Sequence, residues 1–298
     1  MTGILTFIFT AFALLPLRVL YWFADLAYLV LYHIVRYRRT TVSDNLRQCF
    51  PDKTPEELRR IEKQFYRNFA DYVVETVKLL HISDSEMKRR MEFRNIGLMD
   101  SLMAEGKSIA IYFGHIGNWE WAPSVTLHTK VPPSAAAVYA QVYRPLRNRT
   151  FDALMLKIRS RFGSVSIPKA VVLRTLLKWR KNGSVSATGF MSDQKPSHGD
   201  PTVPLRFLGR PTAFISGTEN LARRLGMAAI YWDTEKTARG HYIITCRLLA
   251  ENAADTEPGH ITAAYARMLE KSIIRNPAIW LWTHKRWKYP VDPSSLLY

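Results

Sequence analysis

A histidine and a glutamate five positions apart are the strongest candidates for chemistry in this sequence. His115 and Glu120 stand in residues 112–121, Tyr-Phe-Gly-His-Ile-Gly-Asn-Trp-Glu-Trp. If the chain turns back at Gly117, the Glu120 carboxylate can reach one imidazole nitrogen, where it would fix the tautomer and raise the basicity. The other nitrogen would then take a proton from an incoming hydroxyl. The pair therefore predicts general base catalysis, while a loop buttressed by a structural His–Glu hydrogen bond is the alternative.

The surrounding sequence bears on the type of reaction. No activated serine or cysteine is apparent, so the pattern favours direct transfer through a ternary complex, with an alcohol or an amine as acceptor. Backbone N–H groups of residues 116–118, at the start of the next helix, could hold a developing oxyanion. The sequence contains no G-x-S-x-G, H-E-x-x-H, P-loop or G-x-G-x-x-G motif, which disfavours serine hydrolases, zinc proteases, kinases and dinucleotide-dependent dehydrogenases.

The elements that must position this pair alternate between strands and helices from about residue 91. His115 lies just beyond a strand, and ligands of parallel sheets bind beyond the carboxyl ends of their strands. The alternation predicts an α/β fold with a largely parallel sheet flanked by helices. The predicted strands are 108–113, 135–140, 184–188, 203–208, 227–232 and 241–249, and the predicted helices are 97–105, 117–129, 145–161, 169–181, 214–225 and 258–274.

Two helices are predicted before that region. Thr54, Pro55 and Glu57 form a capping box with proline at the first helical position. Apolar residues at helical spacing then predict an amphipathic helix over residues 55–80. Ser83 is expected to open a second, short helix.

The N-terminal segment is predicted to attach the protein to a membrane. Residues 4–35 are mostly apolar and rich in aromatics, and the basic cluster Arg36, Arg38 and Arg39 follows them, so the positive-inside rule keeps the remainder in the cytoplasm. A tilted span, a kinked re-entrant helix and an interfacial helix all remain open, and a buried pair of core helices is the alternative. We therefore expect a membrane anchor over 1–36 and a catalytic domain over 37–298.

The charge of the chain indicates an acidic partner. The net charge is +17, and residues 141–182 hold eleven lysines and arginines against one aspartate. A membrane-attached chain makes an anionic lipid or an acidic protein the better candidate than nucleic acid. Cys49 and Cys246 are far apart, which excludes a disulfide framework and predicts two buried small side chains.

Several further elements, in order along the chain, resemble one family. They are Tyr-Arg-Pro at 143–145, Ser-Asp-Gln at 192–194, Gly-Arg-Pro-Thr-Ala at 209–213, Gly-Thr at 217–218, a basic helix at 221–226 and Trp-Thr-His-Lys-Arg-Trp-Lys at 282–288. With His115 and Glu120, they resemble the lipid A late acyltransferases within the H-x4-D/E superfamily of glycerolipid acyltransferases, over about residues 5–290.

The resemblance implies an inner-membrane enzyme that faces the cytoplasm. It implies an acyl carrier protein thioester as donor, a phosphorylated glucosamine disaccharide lipid as acceptor, and no metal or organic cofactor. The glycerolipid branch has an F-P-E-G-T-R block, where this chain has Gly-Phe-Met-Ser-Asp at 189–193, which favours lipid A over glycerol phosphate. A lysophospholipid, another glycolipid or an amino-acid lipid remains an alternative acceptor. A non-catalytic basic membrane protein is the alternative from another class.

Six further residues are predicted to contact substrate. Arg144 could bind a phosphate or the carrier's phosphopantetheine, or be an exposed arginine. Asp193 and Gln194 could position the acceptor, although an aspartate here could equally cap a loop. His284 and Arg286 could touch headgroups, but a solvated basic tail is the favoured interpretation. Asn118 is the sixth residue predicted to contact substrate. Trp119 and Trp121 are expected to be walls or core.

Overall fold

A seven-stranded, mostly parallel sheet lies at the centre of the computed structural model, which describes residues 9–297. Its spatial order is β1-β9-β8-β2-β5-β3-β4, with β8 and β9 antiparallel and the other pairs parallel. The predicted α/β fold is thereby confirmed. The strands are β1 (Met91–Arg94), β2 (Ile109–Phe113), β3 (Ala137–Tyr143), β4 (Val165–Pro168), β5 (Val185–Met191), β6 (Thr202–Phe207), β7 (Arg210–Ile215), β8 (Ala228–Ala238) and β9 (His241–Ala250).

Helices flank the sheet and precede it. The α-helices are α1 (Leu17–Leu29), α2 (Arg39–Cys49), α3 (Pro55–Lys78), α4 (Asp84–Arg90), α5 (Gly97–Ala104), α6 (Arg149–Arg159), α7 (Val172–Lys181), α8 (Gly217–Leu225) and α9 (His260–Arg275). Helix α3 confirms the predicted amphipathic helix. Its capping box is complete, since the Glu57 N–H donates to Thr54 Oγ1 (3.2 Å) and the Thr54 N–H donates to the Glu57 carboxylate (2.8 Å). Ser83 likewise caps α4.

Some elements differ from the sequence-based prediction. Residues 117–129 form a 3₁₀ helix over Trp119–Leu127, with Pro123 inside it. Proline has no N–H to donate within a helix, which disfavours a regular α-helix there. Strand β7 was not predicted, and it pairs with β6 in an antiparallel hairpin whose turn places Leu208 and Gly209 at positive φ. The short strands β1 and β4 were also missed, because four residues carry little periodicity.

Helix α1 has one buried side and one exposed side. Leu20 and Ala24 pack into the core, next to α3, while Trp22 and Leu26 are 74% and 59% exposed. The helix continues as a π-helical turn over Val30–Ile34. Its length and apolarity would suffice to cross a membrane, although a buried core helix can meet the same two criteria. It is a candidate membrane anchor, and the beginning of the predicted 1–36 segment, residues 1–8, lies outside the described residues.

Candidate active site

The loop after β2 brings the predicted histidine to the carboxyl edge of the sheet. Strand β2 is buried along its whole length and ends at Phe113. Gly114 permits a close approach, because a Cβ there would lie 2.6 Å from Leu269 Cδ1 and 3.3 Å from Asp193 Oδ2. Gly117 has φ +61, so the chain turns where the sequence predicted a turn. The turn therefore leaves His115 between two glycines at the sheet edge.

Asp193 is the carboxylate that contacts His115. Its Oδ1 lies 2.7 Å from His115 Nδ1, and its Oδ2 accepts from the His115 backbone N–H (2.8 Å) and from Trp280 Nε1 (2.9 Å). Burial by itself raises the pKa of Asp193, but the charge of His115 and these hydrogen bonds lower it to about 2. An ionised Asp193 can only accept, so Nδ1 carries a proton, and in the neutral imidazole Nε2 is then the nitrogen with the free lone pair. Nε2 lies 3.2 Å from the Gln194 side-chain amide.

Glu120 pairs with an arginine instead of the histidine. Arg159 Nε donates to Glu120 Oε2 (2.7 Å) and Arg159 Nη2 donates to Oε1 (2.6 Å), a bidentate pair with little solvent exposure. The prediction that Glu120 orients His115 is therefore wrong. The reason is tertiary, since α6 supplies a partner for Glu120 while the end of β5 supplies one for His115. The ring of Trp119 packs edge-on against His115, with 5.0 Å between ring centroids.

The backbone N–H groups predicted to form an oxyanion hole already have partners. The Ile116 N–H donates to the Gly114 carbonyl (2.8 Å) and the Gly117 N–H donates to the Ile279 carbonyl (2.9 Å). The expectation that residues 116–118 hold an oxyanion is therefore wrong for these two groups. Their hydrogen bonds instead fix the loop that carries His115.

Asn118 is a structural residue in this geometry. It is fully buried, and its Nδ2 donates to Glu75 Oε2 (2.9 Å). The same Glu75 carboxylate accepts from Tyr21 of α1 (3.0 Å) and Tyr242 of β9 (2.9 Å). Burial raises the pKa of Glu75, and Lys236 and the hydrogen bond from Asn118 oppose that increase. The predicted substrate contact of Asn118 is wrong, because its side chain points into this network, which ties the loop to α1.

A cavity of about 740 Å³ opens at His115 and runs over the sheet. Its mouth is polar and its deep part is apolar. The deep wall uses the same face of neighbouring strands, where Ile111 of β2 is level with Gly189 of β5. Gly189 makes room for the ring of Phe113, which also lines the cavity, because a Cβ there would lie 2.9 Å from Phe113 Cε1. The mouth is lined by His115, Glu120, Arg144, Arg159, Gln194 and His284, and the deep part by Ile111, Val125, Tyr139, Ala187, Gly189 and Trp232.

The other predicted site residues divide between this cavity and its surroundings. Arg144 is exposed at the rim, where its Nη2 donates to Ser197 Oγ (3.2 Å). Gln194 lies at the mouth beside His115, while Asp193 is buried behind it, so Asp193 does not position an acceptor by contact. His284 lines the cavity, and its Nε2 accepts from the Lys195 N–H (2.9 Å).

The C-terminal pair His284 and Arg286 is not a solvated basic tail. Burial lowers the pKa of His284 to about 4, so the ring is neutral at physiological pH. Arg286 is only 3% exposed and lines a different cleft. The favoured sequence interpretation is wrong for both residues, because the last segment packs against the β6–β7 hairpin through Trp287, whose Nε1 donates to Thr212 Oγ1 (2.7 Å). The expectation that Trp119 and Trp121 are walls or core is confirmed, since Trp121 is buried and Trp119 lines the cavity.

Two roles were missed from the sequence alone. Arg159 was counted only as part of the basic stretch, and Asp193 was assigned to the acceptor. A signal for Asp193 exists once the strand order is known. Phe113 and Met191 are level on the neighbouring strands β2 and β5, and His115 and Asp193 each follow two positions later.

Comparisons with known proteins identify the family of this chain. The model of the family described as bacterial lipid A biosynthesis acyltransferase matches residues 2–289. A lipid A biosynthesis palmitoleoyltransferase of Escherichia coli strain K12 is 24% identical over 88% of this chain and 83% of its own length, and a lipid A biosynthesis acyltransferase of Shigella flexneri matches equally.

A lipid A biosynthesis acyltransferase of Haemophilus influenzae is 23% identical over 64% of this chain, and the match spans 57% of that relative's length. The family match covers nearly the whole chain, and all residues of the cavity mouth lie within the matched range. The chain therefore belongs to the bacterial lipid A biosynthesis acyltransferase family and is an acyltransferase.

Proposed function

We propose that the protein transfers a fatty acyl chain from an acyl carrier protein thioester to a hydroxyl of a lipid A precursor. The observation that carries this proposal is the joining of two features in one cavity. An imidazole held by an ionised carboxylate stands at the mouth, and an apolar space extends behind it. This combination suits a reaction that activates a hydroxyl beside a bound hydrocarbon chain.

In the proposed reaction, His115 is the general base. Its Nε2 takes the proton of the acceptor hydroxyl as the oxygen attacks the thioester carbonyl, and Asp193 stabilises the resulting imidazolium. The C–O bond forms, the C–S bond breaks, and the leaving thiolate takes the proton from His115. General base catalysis of this kind contributes roughly a hundred- to ten-thousandfold in rate.

Arg159 is the group to which we assign the developing oxyanion. It lines the cavity mouth, and Glu120 uses only its Nε and Nη2. Nη1 makes no hydrogen bond within residues 9–297, so one donor of a fixed guanidinium is available to the substrate. Glu120 would then act on catalysis through Arg159. A donor that is already oriented needs little reorganisation as charge develops.

The donor chain would occupy the apolar part of the cavity. Ala187 and Gly189 of β5 have minimal side chains where Ile111, Val125 and Tyr139 form the walls. Ala187 lies four positions before Met191 at the mouth end of β5, a distance of about 13 Å along a strand. Space of that length beside small residues fits an extended hydrocarbon chain.

The charged and apolar surfaces support the remaining partners of the proposal. The basic stretch 141–182 would attract an acidic carrier protein, and Arg144 at the rim could pair with its phosphopantetheine or with an acceptor phosphate. The family is membrane-associated, and the exposed side of α1 would enter the bilayer surface. Arg36, Arg38 and Arg39 after that helix favour a cytoplasmic face of the inner membrane.

The test is acyl transfer by membranes that contain the full chain. Labelled acyl carrier protein thioester would be offered a lipid A precursor and a lysophospholipid side by side. We expect label on the lipid A precursor, lost in His115→Ala and retained in His81→Ala, which removes an exposed histidine away from the cavity. Label on the lysophospholipid alone would overturn the acceptor. Transfer that survives His115→Ala would overturn the mechanism and favour a non-catalytic role of the basic surface.

A further inference from the structure

A second cavity of about 330 Å³ adjoins the first one. Ser197 and Asp200 line both cavities and form a wall that the two share. The second cavity lies between the β6–β7 hairpin and the C-terminal segment. Its polar lining includes Ser197, His198, Asp200, Thr202, Thr212 and Arg286.

Arg286 is a buried cation with few partners. Its Nη2 donates to the Ala213 carbonyl (2.7 Å), its guanidinium lies over the Phe214 ring (4.8 Å), and its Nε has no hydrogen-bond partner in the part of the chain that the structure describes. No carboxylate among those residues lies within 4.0 Å, and both Asp193 oxygens already accept from His115 or Trp280. Burial lowers the pKa of Arg286 to about 10, although the charge of Asp193 opposes that shift from beyond hydrogen-bond distance, so Arg286 remains charged at neutral pH. An unpaired buried charge is costly unless a counter-ion joins it.

The groups around this cavity are mostly cationic. The Arg210 guanidinium lies over the Trp287 ring, 4.4 Å from its centroid. The ammonium groups of Lys195 and Lys288 lie over the Tyr289 ring, 5.1 and 5.4 Å from its centroid. Among the described residues, Asp200 is the one acid in the lining. Its Oδ1 accepts from Lys169 Nζ (2.7 Å) and its Oδ2 accepts from the Ser197 N–H (2.9 Å). The field inside the cavity therefore favours an anion.

We propose that this cavity is a subsite for a phosphate ester, held by Arg286 and Ser197. A guanidinium fork binds two phosphate oxygens at once. Ser197 Oγ accepts from Arg144, which leaves its own hydrogen free to donate to a further oxygen. A phosphate has enough oxygens for the fork and the hydroxyl together, and a cavity of 330 Å³ admits the group with part of its carrier.

The source of the phosphate rests on the proposed function. Either an acceptor phosphate or the phosphodiester of the carrier's prosthetic group would reach the shared wall at Ser197 and Asp200 from the main cavity. In both cases the subsite would hold a substrate beside His115, and its effect would fall on substrate affinity. Binding of the anion itself requires neither source and no turnover.

The first experiment measures binding without catalysis. The full chain in detergent would be titrated with inorganic phosphate, and its melting temperature recorded for wild type, Arg286→Gln, Arg286→Lys, Ser197→Ala and Lys285→Gln. Lys285 is exposed and lies outside the cavity lining, so it controls for the loss of one charge in the same segment. We expect phosphate to stabilise wild type and Lys285→Gln, to act less on Arg286→Lys and Ser197→Ala, and to have no effect on Arg286→Gln.

The second experiment distinguishes the two sources. We expect Arg286→Lys and Ser197→Ala to raise one KM by roughly ten- to a hundredfold, as loss of a charged hydrogen bond implies, with a smaller change in kcat. A rise for a phosphorylated acceptor, but not for its dephosphorylated analogue, identifies the acceptor, and a rise for the thioester donor identifies the carrier.

Phosphate that fails to stabilise wild type, or stabilises all variants alike, would overturn the subsite. So would a loss of kcat with both KM values unchanged, which a structural role of Arg286 predicts. Should Arg286→Gln fail to fold, Ser197→Ala still tests the site, since it removes one partly buried hydroxyl. Failure of acyl transfer itself would leave the phosphate titration unaffected, so the two proposals can fail separately.

Discussion

The mouth and the deep part of the main cavity are built on opposite principles. At the mouth, a buried carboxylate holds each group to which we assign a catalytic role, Asp193 for His115 and Glu120 for Arg159. In the deep part, small and apolar side chains such as Gly189 define a volume without directional bonds. Direction matters where bonds are made and broken, whereas volume suffices for a hydrocarbon chain. We therefore expect substitutions at the mouth to change the rate of acyl transfer from every donor. Substitutions in the deep part should change which donor is preferred.

The largest effect is expected from Asp193→Asn. The amide would no longer stabilise the imidazolium, and it could hold His115 in the wrong tautomer, so kcat should fall on the order of 10⁴-fold, as in serine protease triads. The measurement is kcat with two carrier thioesters of different chain length, which should fall alike. A fall for one length only would contradict the separation between mouth and deep part.

Next in size is the disruption of the Glu120–Arg159 pair. Removing one partner strands a buried charge, so Glu120→Gln or Arg159→Gln should lower stability by about 3 to 5 kcal/mol, and the double variant by less than the sum. Chemical denaturation of the three variants measures this coupling. Activity separates the roles, because the double variant also lacks Arg159 and should remain slow even though it has regained stability. Full activity of that double variant would remove Arg159 from the oxyanion assignment.

A selective effect is expected from Gly189→Val. Added carbons would displace the Phe113 ring into the apolar space that it lines, so a long-chain donor should lose roughly tenfold in kcat/KM relative to a donor two methylenes shorter. Competition between two labelled thioesters measures that ratio. Gly97→Val is a matched control, because a Cβ at Gly97 meets nothing within 4 Å. An equal loss for both donors would place the chain elsewhere.

The smallest effect concerns His284 at the mouth. Its folded pKa of about 4 lies below the ordinary value near 6.5, so the unfolded chain binds a proton that the folded chain excludes. Stability should therefore fall as pH drops from 6.5 toward 4, and His284→Gln should flatten that fall by about 5 °C in melting temperature. Asp193 does not interfere with this measurement. Its folded pKa of about 2 lies below its ordinary value, so its contribution to stability is lost only below about pH 4. An unchanged slope would contradict the neutral, buried ring.

Local features of the chain could be predicted from the sequence because they depend on neighbouring residues. The capping box at Thr54, the turn at Gly117 and the place of His115 after a buried strand each depend on residues within a few positions. Backbone conformation and hydrophobic periodicity determine such features before any tertiary contact forms. The α/β class follows in the same way from the alternation of strands and helices.

The partners of the charged groups were decided by the tertiary structure. Asp193 reaches His115 from 78 residues away because β2 and β5 are neighbours, and nothing in the spacing of either segment specifies that neighbourhood. Glu120 is close to His115 in sequence, yet Arg159 of α6 takes both of its oxygens. The sequence favoured a solvated tail for Arg286, whereas in the structure its side chain is buried against the β6–β7 hairpin. The sequence determines which chemical group stands at each position. The partner of that group depends on which elements pack together, because electrostatic interactions and hydrogen bonds act through space and not along the chain.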